Sequence, residues 1–417
     1  MKRKLLLSFV LAFILQSTLL INNCVSQWVR TSGPIGVSVR RLAASGTNIF
    51  AGTWSNGIFL STNNGTNWTA VNNGLTNLNV RAILVSGANI FVGTGGGGVF
   101  LSTNNGTSWT ATNSGLTDLN ISSFAILGSE IFAGINGNGA MFKSTNNGST
   151  WFASNNGLPA FNAIKTIISS GTDLYVGIGS GWAVYKSTNN GANWVAANSG
   201  MVGFDVQALT AIGTNLFAGT YSGGVFKSTN NGVSWTTVNN GISNLIIYSF
   251  AISGQNIFAG TEYSNGGIFL STNIGTNWLQ KNDGFNFIPK VFSLLIANDN
   301  IYAGTDSQGV WKRPLSELIT NYSIINSVIP SKYSLSQNYP NPFNPSTNIK
   351  FAIPELSDVK IVIYDISGKE INILVNEQLQ PGTYQSEWNA SNFSSGIYFY
   401  KITSNEYSVT KRMTLIK

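Results

Sequence analysis

An octapeptide that recurs six times is the feature of this sequence that most constrains its fold. The first copy spans Ser61 to Trp68 and reads STNNGTNW. The closing tryptophans of successive copies lie 41, 42, 43, 41 and 43 residues apart. A period of about forty residues is typical of repeat architectures in which each repeat is one supersecondary unit. The chain is therefore expected to be built from repeats.

Each repeat contains four short runs of strand-forming residues, separated by Gly, Asn and Ser turns. In the second repeat these runs are residues 80–85, 89–94, 98–102 and 108–112. Four strands in a unit of about forty residues are the pattern of a β-propeller blade. A second phrase, NIFAGT at residues 48–53, counts the blades independently. Its glycine recurs at Gly52, Gly93, Gly134, Gly177, Gly219, Gly260 and Gly304. We therefore predict an all-β protein with a seven-bladed β-propeller over residues 27–313.

The octapeptide occurs six times and the inner phrase seven times, so one outer strand is missing from the last repeat. The segment from Trp28 to Gly33 resembles the segment from Trp68 to Gly74, which follows the first octapeptide turn. We predict that residues 27–33 complete the last blade and close the ring.

The octapeptide itself is expected to form a turn between the third and fourth strands of a blade. Asn63 can accept a backbone N–H, Gly65 can take a positive φ, and the large ring of Trp68 can be buried between blades. The asparagine, glycine and tryptophan positions of the six copies are Asn63, Gly65, Trp68, Asn104, Gly106, Trp109, Asn146, Gly148, Trp151, Asn189, Gly191, Trp194, Asn230, Gly232, Trp235, Asn273, Gly275 and Trp278.

This turn resembles the Asp-box, or BNR repeat, Ser-x-Asp-x-Gly-x-Thr-Trp. That repeat is known from sialidases, two-propeller endoglucanases, sortilin-like receptors and photosystem assembly factors, where it is a peripheral structural turn. All six copies here have Asn in place of the family's Asp, and only Thr150 keeps the threonine before the tryptophan. Because hard cations favour carboxylate ligands, we expect no metal at these turns and no cofactor.

The N-terminus is typical of a secretory signal peptide. Three positive charges in residues 1–4 precede an apolar run over residues 5–20, and small residues precede a cleavage site after Ser26. An uncleaved anchor is an alternative, although the run is short for a bilayer; a lipoprotein anchored through Cys24 is another. Cleavage after Ser26 would leave a mature chain without cysteine, histidine or a transmembrane segment. The net charge of +7 is too small and too scattered to indicate nucleic-acid binding.

The composition changes after Arg313. Residues 314–332 are predicted to be a linker, and five alternating runs at 348–353, 359–366, 382–388, 396–402 and 409–416 predict a small β-sandwich. The motifs YPNPFNP at 339–345, VIYDISG at 362–368, PGTY at 381–384, GIY at 396–398 and KRM at 411–413 resemble the type A C-terminal sorting domain of the type IX secretion system, over residues 333–417. The resemblance implies the Sec and type IX machineries as partners and a location outside, or on the outer surface of, a Gram-negative cell. An independent adhesive sandwich is the alternative.

The function of the propeller is the open question. Aromatic residues on the loops joining second to third strands suit stacking on sugar rings, and we predict a non-catalytic binding module for a glycan or other extracellular polymer. The candidate ligand-binding residues are Trp54, Trp182, Tyr221 and Tyr263, with Phe161, Phe204, Phe285 and Phe287 on the inter-blade loops. One alternative is a glycoside hydrolase that uses Glu262 and Asp306, which fall on equivalent loops of adjacent blades. The other alternative is a protein-interaction or adhesion scaffold.

Overall fold

The computed structural model describes residues 27–417, except 138–139, 161, 182, 202–203, 320–321, 327 and 392. The expected signal peptide, residues 1–26, lies outside the described residues. The chain divides near Arg313 into two compact units, one holding most of residues 27–313 and the other holding residues 314–417.

The first unit is a seven-bladed β-propeller, so the predicted fold class is confirmed. Each blade is a four-stranded sheet, and in blades 1 to 6 the strands follow one another in chain order from the channel outward. Blades 1 to 3 consist of Val39–Ser45, Asn48–Thr53, Ile58–Ser61 and Thr69–Ala70; Val80–Ser86, Asn89–Thr94, Gly98–Ser102 and Thr110–Ala111; and Ile121–Leu127, Glu130–Ile135, Met141–Ser144 and Phe152–Ala153. Blades 4 to 6 consist of Ile164–Ser170, Asp173–Ile178, Ala183–Ser187 and Val195–Ala196; Val206–Ile212, Asn215–Thr220, Val225–Ser228 and Thr236–Thr237; and Ile247–Ser253, Asn256–Thr261, Ile268–Ser271 and Leu279–Gln280. Blade 7 consists of Val291–Ala297, Asn300–Thr305, Gly309–Pro314 and the N-terminal strand Val29–Arg30.

The glycine of the inner phrase is required where one blade packs on the next. A Cβ atom on Gly52 would lie 2.5 Å from Cγ1 of Val80, the first residue of the next inner strand. A Cβ atom on Gly304 of blade 7 would lie 2.8 Å from Cγ1 of Val39 in blade 1. The same close approach therefore joins the first and last blades, and close packing of this kind tolerates no extra methyl group.

The N-terminal strand supplies the outer strand of blade 7. Val29 pairs with Lys312, and Arg30 pairs with Trp311. Trp28 is 1% exposed, and its indole Nε1 donates to the carbonyl of Lys281 in blade 6 over 2.7 Å. Trp278 of the last octapeptide makes the equivalent bond to the preceding blade, at Val238 O over 2.8 Å. Trp28 thus occupies in blade 7 the place that octapeptide tryptophans occupy in the other blades.

The octapeptide turn is held by two side chains. In the first copy the Ser61 hydroxyl accepts the N–H of Gly65 over 2.8 Å, and Asn63 Oδ1 accepts the N–H of Asn67 over 2.8 Å. Gly65 has φ +80°, as the sequence predicts, and Asn64 before it is also left-handed, with φ 55°. Five of the six tryptophans are buried to within 4% exposure, and Trp68, which abuts the N-terminal strand, is half-buried.

The second unit is a β-sandwich of two four-stranded sheets. One sheet has the order Tyr322–Asn326, Gly382–Asn389, Ser346–Ile353 and Ser334–Leu335; the other has the order Glu370–Leu379, Ser357–Tyr364, Gly396–Ser404 and Tyr407–Leu415. A short 3-10 helix, Leu315–Glu317, precedes them. The proline-rich motif belongs to this core, because Phe343 is 3% exposed and packs on Trp388 with ring centroids 5.5 Å apart.

The structure places the predicted linker, residues 314–332, in the second unit, and part of it forms a strand. Residues 322–326 form an edge strand that pairs with Gly382–Asn389, and the ring of Tyr322 packs edge-on against Tyr384 at 5.7 Å. The strand Glu370–Leu379 was also absent from the five predicted runs. It carries Asn372, Asn376 and Glu377 among its apolar residues, which breaks the strict alternation that marks a half-buried strand.

Candidate binding site at the mouth of the central channel

A β-bulge at the start of each inner strand aims one side chain at the channel. In the six blades whose register is described, the pairing skips the second residue of the inner strand, for example Arg40 between Val39 and Arg41. The bulged residue has no partner opposite it, so its side chain turns away from the ladder. The seven residues at this position are Arg40, Arg81, Ser122, Lys165, Gln207, Tyr248 and Phe292.

A second set of seven residues lies beside the first. It consists of the residue that follows the second strand of each blade: Trp54, Gly95, Asn136, Gly179, Tyr221, Glu262 and Asp306. In every blade the N–H of this residue donates to the carbonyl just before the inner strand, as in the 3.0 Å bond from Trp54 to Ser38. All seven residues of the first set and two of the second, Trp54 and Asn136, line a cavity of about 250 Å³. The complete lining is Arg40, Arg41, Trp54, Arg81, Ser122, Asn136, Lys165, Gln207, Tyr248 and Phe292.

The side of this mouth formed by blades 1 to 4 is cationic. The Arg40 guanidinium lies 3.8 Å from the ring centroid of Trp54 and 4.2 Å from that of Phe292. Arg81 donates to Asn120 Oδ1 over 2.8 Å, and Lys165 donates to Asn136 Oδ1 over 3.3 Å. These direct partners are rings and neutral amides. Asp306 attracts Arg40 and Asp205 attracts Lys165, but among the described residues neither carboxylate forms an ion pair with its cation within 4.0 Å.

The side formed by blades 5 to 7 carries three carboxylates, and each has partners of its own. Glu262 Oε2 accepts from Lys290 Nζ at 2.8 Å and from the Tyr248 hydroxyl at 2.5 Å. Asp306 accepts short hydrogen bonds from the Ser38 and Tyr263 hydroxyls. Asp205 Oδ1 accepts the N–H of Gly181 over 2.8 Å.

Burial shifts the pKa values of the charged groups at the mouth. Burial lowers the pKa of Arg40 to about 10, Asp306 acting against this shift and Arg81 adding to it. Burial lowers the pKa of Arg41 to about 10, with Arg40 contributing. For Lys165 burial also lowers the pKa, opposed by Asp205 and reinforced by Arg81. For Asp306, burial acts to raise the pKa, but the hydrogen bonds from Ser38, Tyr263 and Ser307 outweigh it and lower the pKa.

The structure places the predicted site residues in different settings. Trp54 lies at the mouth, 44% exposed, while Tyr263 reaches the same mouth through its bond to Asp306 and is 43% exposed. Tyr221 is 50% exposed on the equivalent loop of blade 5. Trp182 and Phe161 lie outside the described residues.

Two of the inter-blade aromatics pack on neighbouring rings. Phe285 lies between Trp28 and Trp311, with ring centroids 5.3 Å and 5.0 Å away, and Phe204 packs on Phe226 at 5.2 Å. Phe287 is 49% exposed. Phe204 and Phe285 are half-buried by these contacts, which leaves less of each ring for a ligand.

The cationic residues Arg40, Arg81 and Lys165 were missed as a group by sequence reasoning. They share no motif, since the seven equivalent positions hold six residue types. Their regular placement is nonetheless written in the sequence: each bulged residue stands twelve positions before the glycine of its own inner phrase. Aligning the repeats on that glycine would have brought the three cations together.

In the described residues, no group of three or more His, Cys, Asp or Glu side chains stands close enough together to hold a metal ion. Within the same residues, no helix has the length and apolar character needed to cross a bilayer.

Comparison with protein families assigns the C-terminal unit. Residues 337–417 match the family described as the secretion system C-terminal sorting domain. The chain carries a type IX secretion sorting domain. The protein is therefore secreted to the outside, or the outer surface, of a Gram-negative cell, and this sorting domain makes the type IX machinery a partner.

The propeller also matches a described family. Residues 44–173 and 126–245 match the DUF6242 beta propeller domain. The two matched segments overlap by several tens of residues, which is expected when one repeated unit aligns in more than one register. No curated protein matches the chain in sequence.

Solved structures share the fold at low sequence identity. An ancestral GH74 enzyme is 17% identical with a TM-score of 0.57, covering 94% of this chain and 63% of its own. The GH74 xyloglucanase from Xanthomonas campestris is 14% identical with a TM-score of 0.56, covering 85% of this chain and 62% of its own. YCF48 bound to the D1 peptide is 12% identical with a TM-score of 0.54, covering 70% of this chain and 98% of its own. The chain thus spans less than two thirds of these two GH74 enzymes, and identities this low establish the fold alone.

Proposed function

We propose that this secreted propeller is a non-catalytic binding module that holds an extracellular glycan at the mouth of its central channel. The observation that carries the proposal is the half-exposed ring of Trp54 on the wall of a cavity otherwise lined largely by polar side chains. Exposed aromatic rings bordered by hydrogen-bonding groups suit sugar rings, whose C–H faces stack while their hydroxyls bind at the edges.

The setting of the two candidate catalytic carboxylates supports binding without hydrolysis. A glycosidase needs one carboxylic acid that is protonated near neutral pH, with a raised pKa. Asp306 has a lowered pKa, held down by hydroxyl donors. Glu262 is engaged by the ammonium of Lys290 and the hydroxyl of Tyr248. Asp306 is therefore not set up as the proton donor, and Glu262 would have to leave an ion pair and a hydrogen bond to act as one.

The structural neighbours offer one example for each competing class. One is named a xyloglucanase, which acts on a polysaccharide, and another is bound to a peptide. The hydrolase that uses Glu262 and Asp306 and the protein-interaction or adhesion scaffold are thus the outcomes that an experiment must separate.

The test is titration of the full chain with a panel of soluble polysaccharides, with tryptophan fluorescence and released reducing sugar followed in the same wells. We expect saturable quenching without product, and we expect Trp54→Ala to abolish it. Phe152→Ala is the matched control, because Phe152 is a 61% exposed ring on an outer strand. Loss of binding in the control as well would contradict a site at the mouth.

The other outcomes decide between the alternatives. Product release that Glu262→Gln or Asp306→Asn abolishes would replace the proposal with a hydrolase. If no polysaccharide in the panel changed the fluorescence or released reducing sugar, glycan binding would be refuted and the scaffold favoured.

A further inference from the structure

We infer that the ligand is an acidic glycan, whose carboxylate or sulfate groups are bound at the mouth by Arg40, Arg81 and Lys165. This inference rests on the proposed function and deepens it by naming the chemical class of the ligand. Four observations lead to it: the excess of positive charge, the distribution of that charge, the unused donors and the neutral lining.

The mouth carries more positive than negative charge. Around it the described residues include five cationic side chains, Arg40, Arg41, Arg81, Lys165 and Lys290, and three carboxylates, Asp205, Glu262 and Asp306. Of the cations, only Lys290 has an ion-pair partner among these carboxylates within 4.0 Å. Five cations against three carboxylates leave a surplus of two positive charges at the mouth, and the low-dielectric walls of such a cleft strengthen their field.

Three cations without an ion-pair partner, Arg40, Arg81 and Lys165, lie on one side of the mouth. Arg40 and Arg81 share the ring of Trp54, at 3.8 Å and 5.7 Å from its centroid. Arg81 and Lys165 are joined through two amides, because Asn120 accepts from Arg81, Asn136 accepts from Lys165, and Asn120 Nδ2 donates to the carbonyl of Asn136 over 2.6 Å. Arg81 and Lys165 both line the cavity, so an anion bound there would lie within reach of both side chains.

Hydrogen-bond donors on these cations are left unused. The Nε atoms of Arg40 and Arg81 are both shielded from solvent and have no hydrogen-bond partner in the described part of the chain. A buried unpaired donor on a charged group is costly, and an oxyanion that accepts from it removes that cost. Because solvent does not reach these two atoms, a ligand could accept from them only after the guanidinium groups turned toward the cavity, and such a turn would relieve that cost.

The neutral groups at the mouth favour a sugar acid over an acidic peptide. The cavity is also lined by Asn136 of blade 3 and Gln207 of blade 5, whose amide groups suit sugar hydroxyls. The hydroxyl of Ser122, also in the lining, donates to the backbone carbonyls of Gly134 and Ile164. The exposed ring at this side is Trp54, next to the cations, so one sugar unit can stack and present its acidic group together.

The experiment compares polymers that differ only in charge, titrated against the full chain. Polygalacturonate is paired with its methyl ester, and dextran sulfate with dextran, so that the two arms separate carboxylate from sulfate recognition. We expect one or both acidic polymers to bind about tenfold more tightly than their neutral partners, the difference made by one charged hydrogen bond. Arg81→Gln and Lys165→Gln should each remove this preference.

The control variant is Lys227→Gln, which removes the same charge from the opposite side of the blade, where Lys227 Nζ donates to Ile274 O in an octapeptide turn. It should bind like the wild-type chain. Arg81→Lys, which keeps the charge, should retain part of the preference. The melting temperature of Arg81→Gln should be unchanged or raised, because the substitution removes a repulsive, desolvated charge.

Three results would overturn the inference. Equal affinity for charged and neutral partners would refute it and leave glycan binding intact, whereas failure of every polysaccharide would refute glycan binding itself. Polyglutamate binding as tightly as the acidic polysaccharides, with the same dependence on Arg81 and Lys165, would replace the sugar acid with an acidic peptide.

Discussion

The fourth residue of each octapeptide turn has a positive φ, and the six residues at this position differ in how well they tolerate it. Five copies place Asn in the left-handed region, and the sixth places Ile274 there, with φ 54°. Asn tolerates this conformation, while a β-branched residue is strained in it by roughly 1–2 kcal/mol. The last turn is therefore the weakest of the six in its backbone.

Replacing Ile274 by Asn should stabilise the propeller. We expect a gain of about 1 kcal/mol in the free energy of unfolding, because relief of strain exceeds the loss of a partly buried side chain. Chemical denaturation of the full chain measures it. The reverse change at an equivalent site, Asn231→Ile, should cost a similar amount. Equal stability of both variants and the wild-type chain would contradict the assignment of strain.

Asp306 should make stability depend on pH on the acid side. Its pKa in the folded chain lies below the ordinary value of 3.8, so its ionised form stabilises the fold at neutral pH, and this contribution is lost as pH falls through the lowered pKa. Asp306→Asn should melt at a lower temperature than wild type near pH 7, and the gap should shrink toward pH 3. A gap that stays constant across this range would show that the carboxylate contributes through packing alone.

At the residue scale the sequence predicted turns better than it predicted the site. Gly65 and Trp68 could be interpreted because each repeats within an eight-residue motif. Arg40, Arg81 and Lys165 were not singled out, because the residue type at their position varies between blades and only an alignment of the repeats on the inner glycine groups them. For Phe285, nothing local in the sequence shows that the ring of Trp28, some 250 residues away, packs on it.

The element that joins the two ends of the propeller is the N-terminal strand Val29–Arg30. Its preceding residue, Trp28, is almost fully buried, stacks on Phe285, and donates its indole N–H to Lys281 O. The strand thereby links the start of the propeller to blades 6 and 7, over a sequence separation of about 250 residues. The pairing closes the chain of the propeller into a ring and so holds the first and last blades together.

Trp28→Ala should destabilise the propeller strongly. We expect a loss of about 3–5 kcal/mol in the free energy of unfolding, since a buried indole is removed from a closed interface. Thermal unfolding measures it, with Trp68→Ala as the comparison, because the half-buried Trp68 should cost less. A chain lacking residues 27–35 that was folded and equally heat-stable would contradict the role of this strand.

Element prediction succeeded where periodicity was strong and failed where it was weak. The same strand pattern recurs in seven repeats, so the prediction for each repeat is supported by the other six. In the sandwich, Tyr322–Asn326 lies in a segment whose composition resembles a linker, and it is a strand because the exposed edge of Gly382–Asn389 offers it backbone partners. Such partners are invisible in a single sequence.

The whole molecule combines a sorting domain with a propeller whose channel mouth is polar. The sorting domain sends the chain outside the cell, and the propeller presents a mouth with cations on blades 1, 2 and 4 and carboxylates on blades 5 to 7. An internally near-symmetric fold is thus asymmetric at this end, because equivalent positions of the blades hold different residues. The scaffold and the export route could be predicted from repeats and motifs, whereas the asymmetry becomes visible only when equivalent positions of the repeats are compared.

The most direct test of this account is a crystal structure of the full chain with an acidic oligosaccharide such as oligogalacturonate. The account predicts the sugar at the mouth, stacked on Trp54, with its carboxylate within hydrogen-bond distance of Arg81 or Lys165. Sugar bound among the octapeptide turns, or at the mouth with its carboxylate facing Glu262 and Asp306, would contradict it.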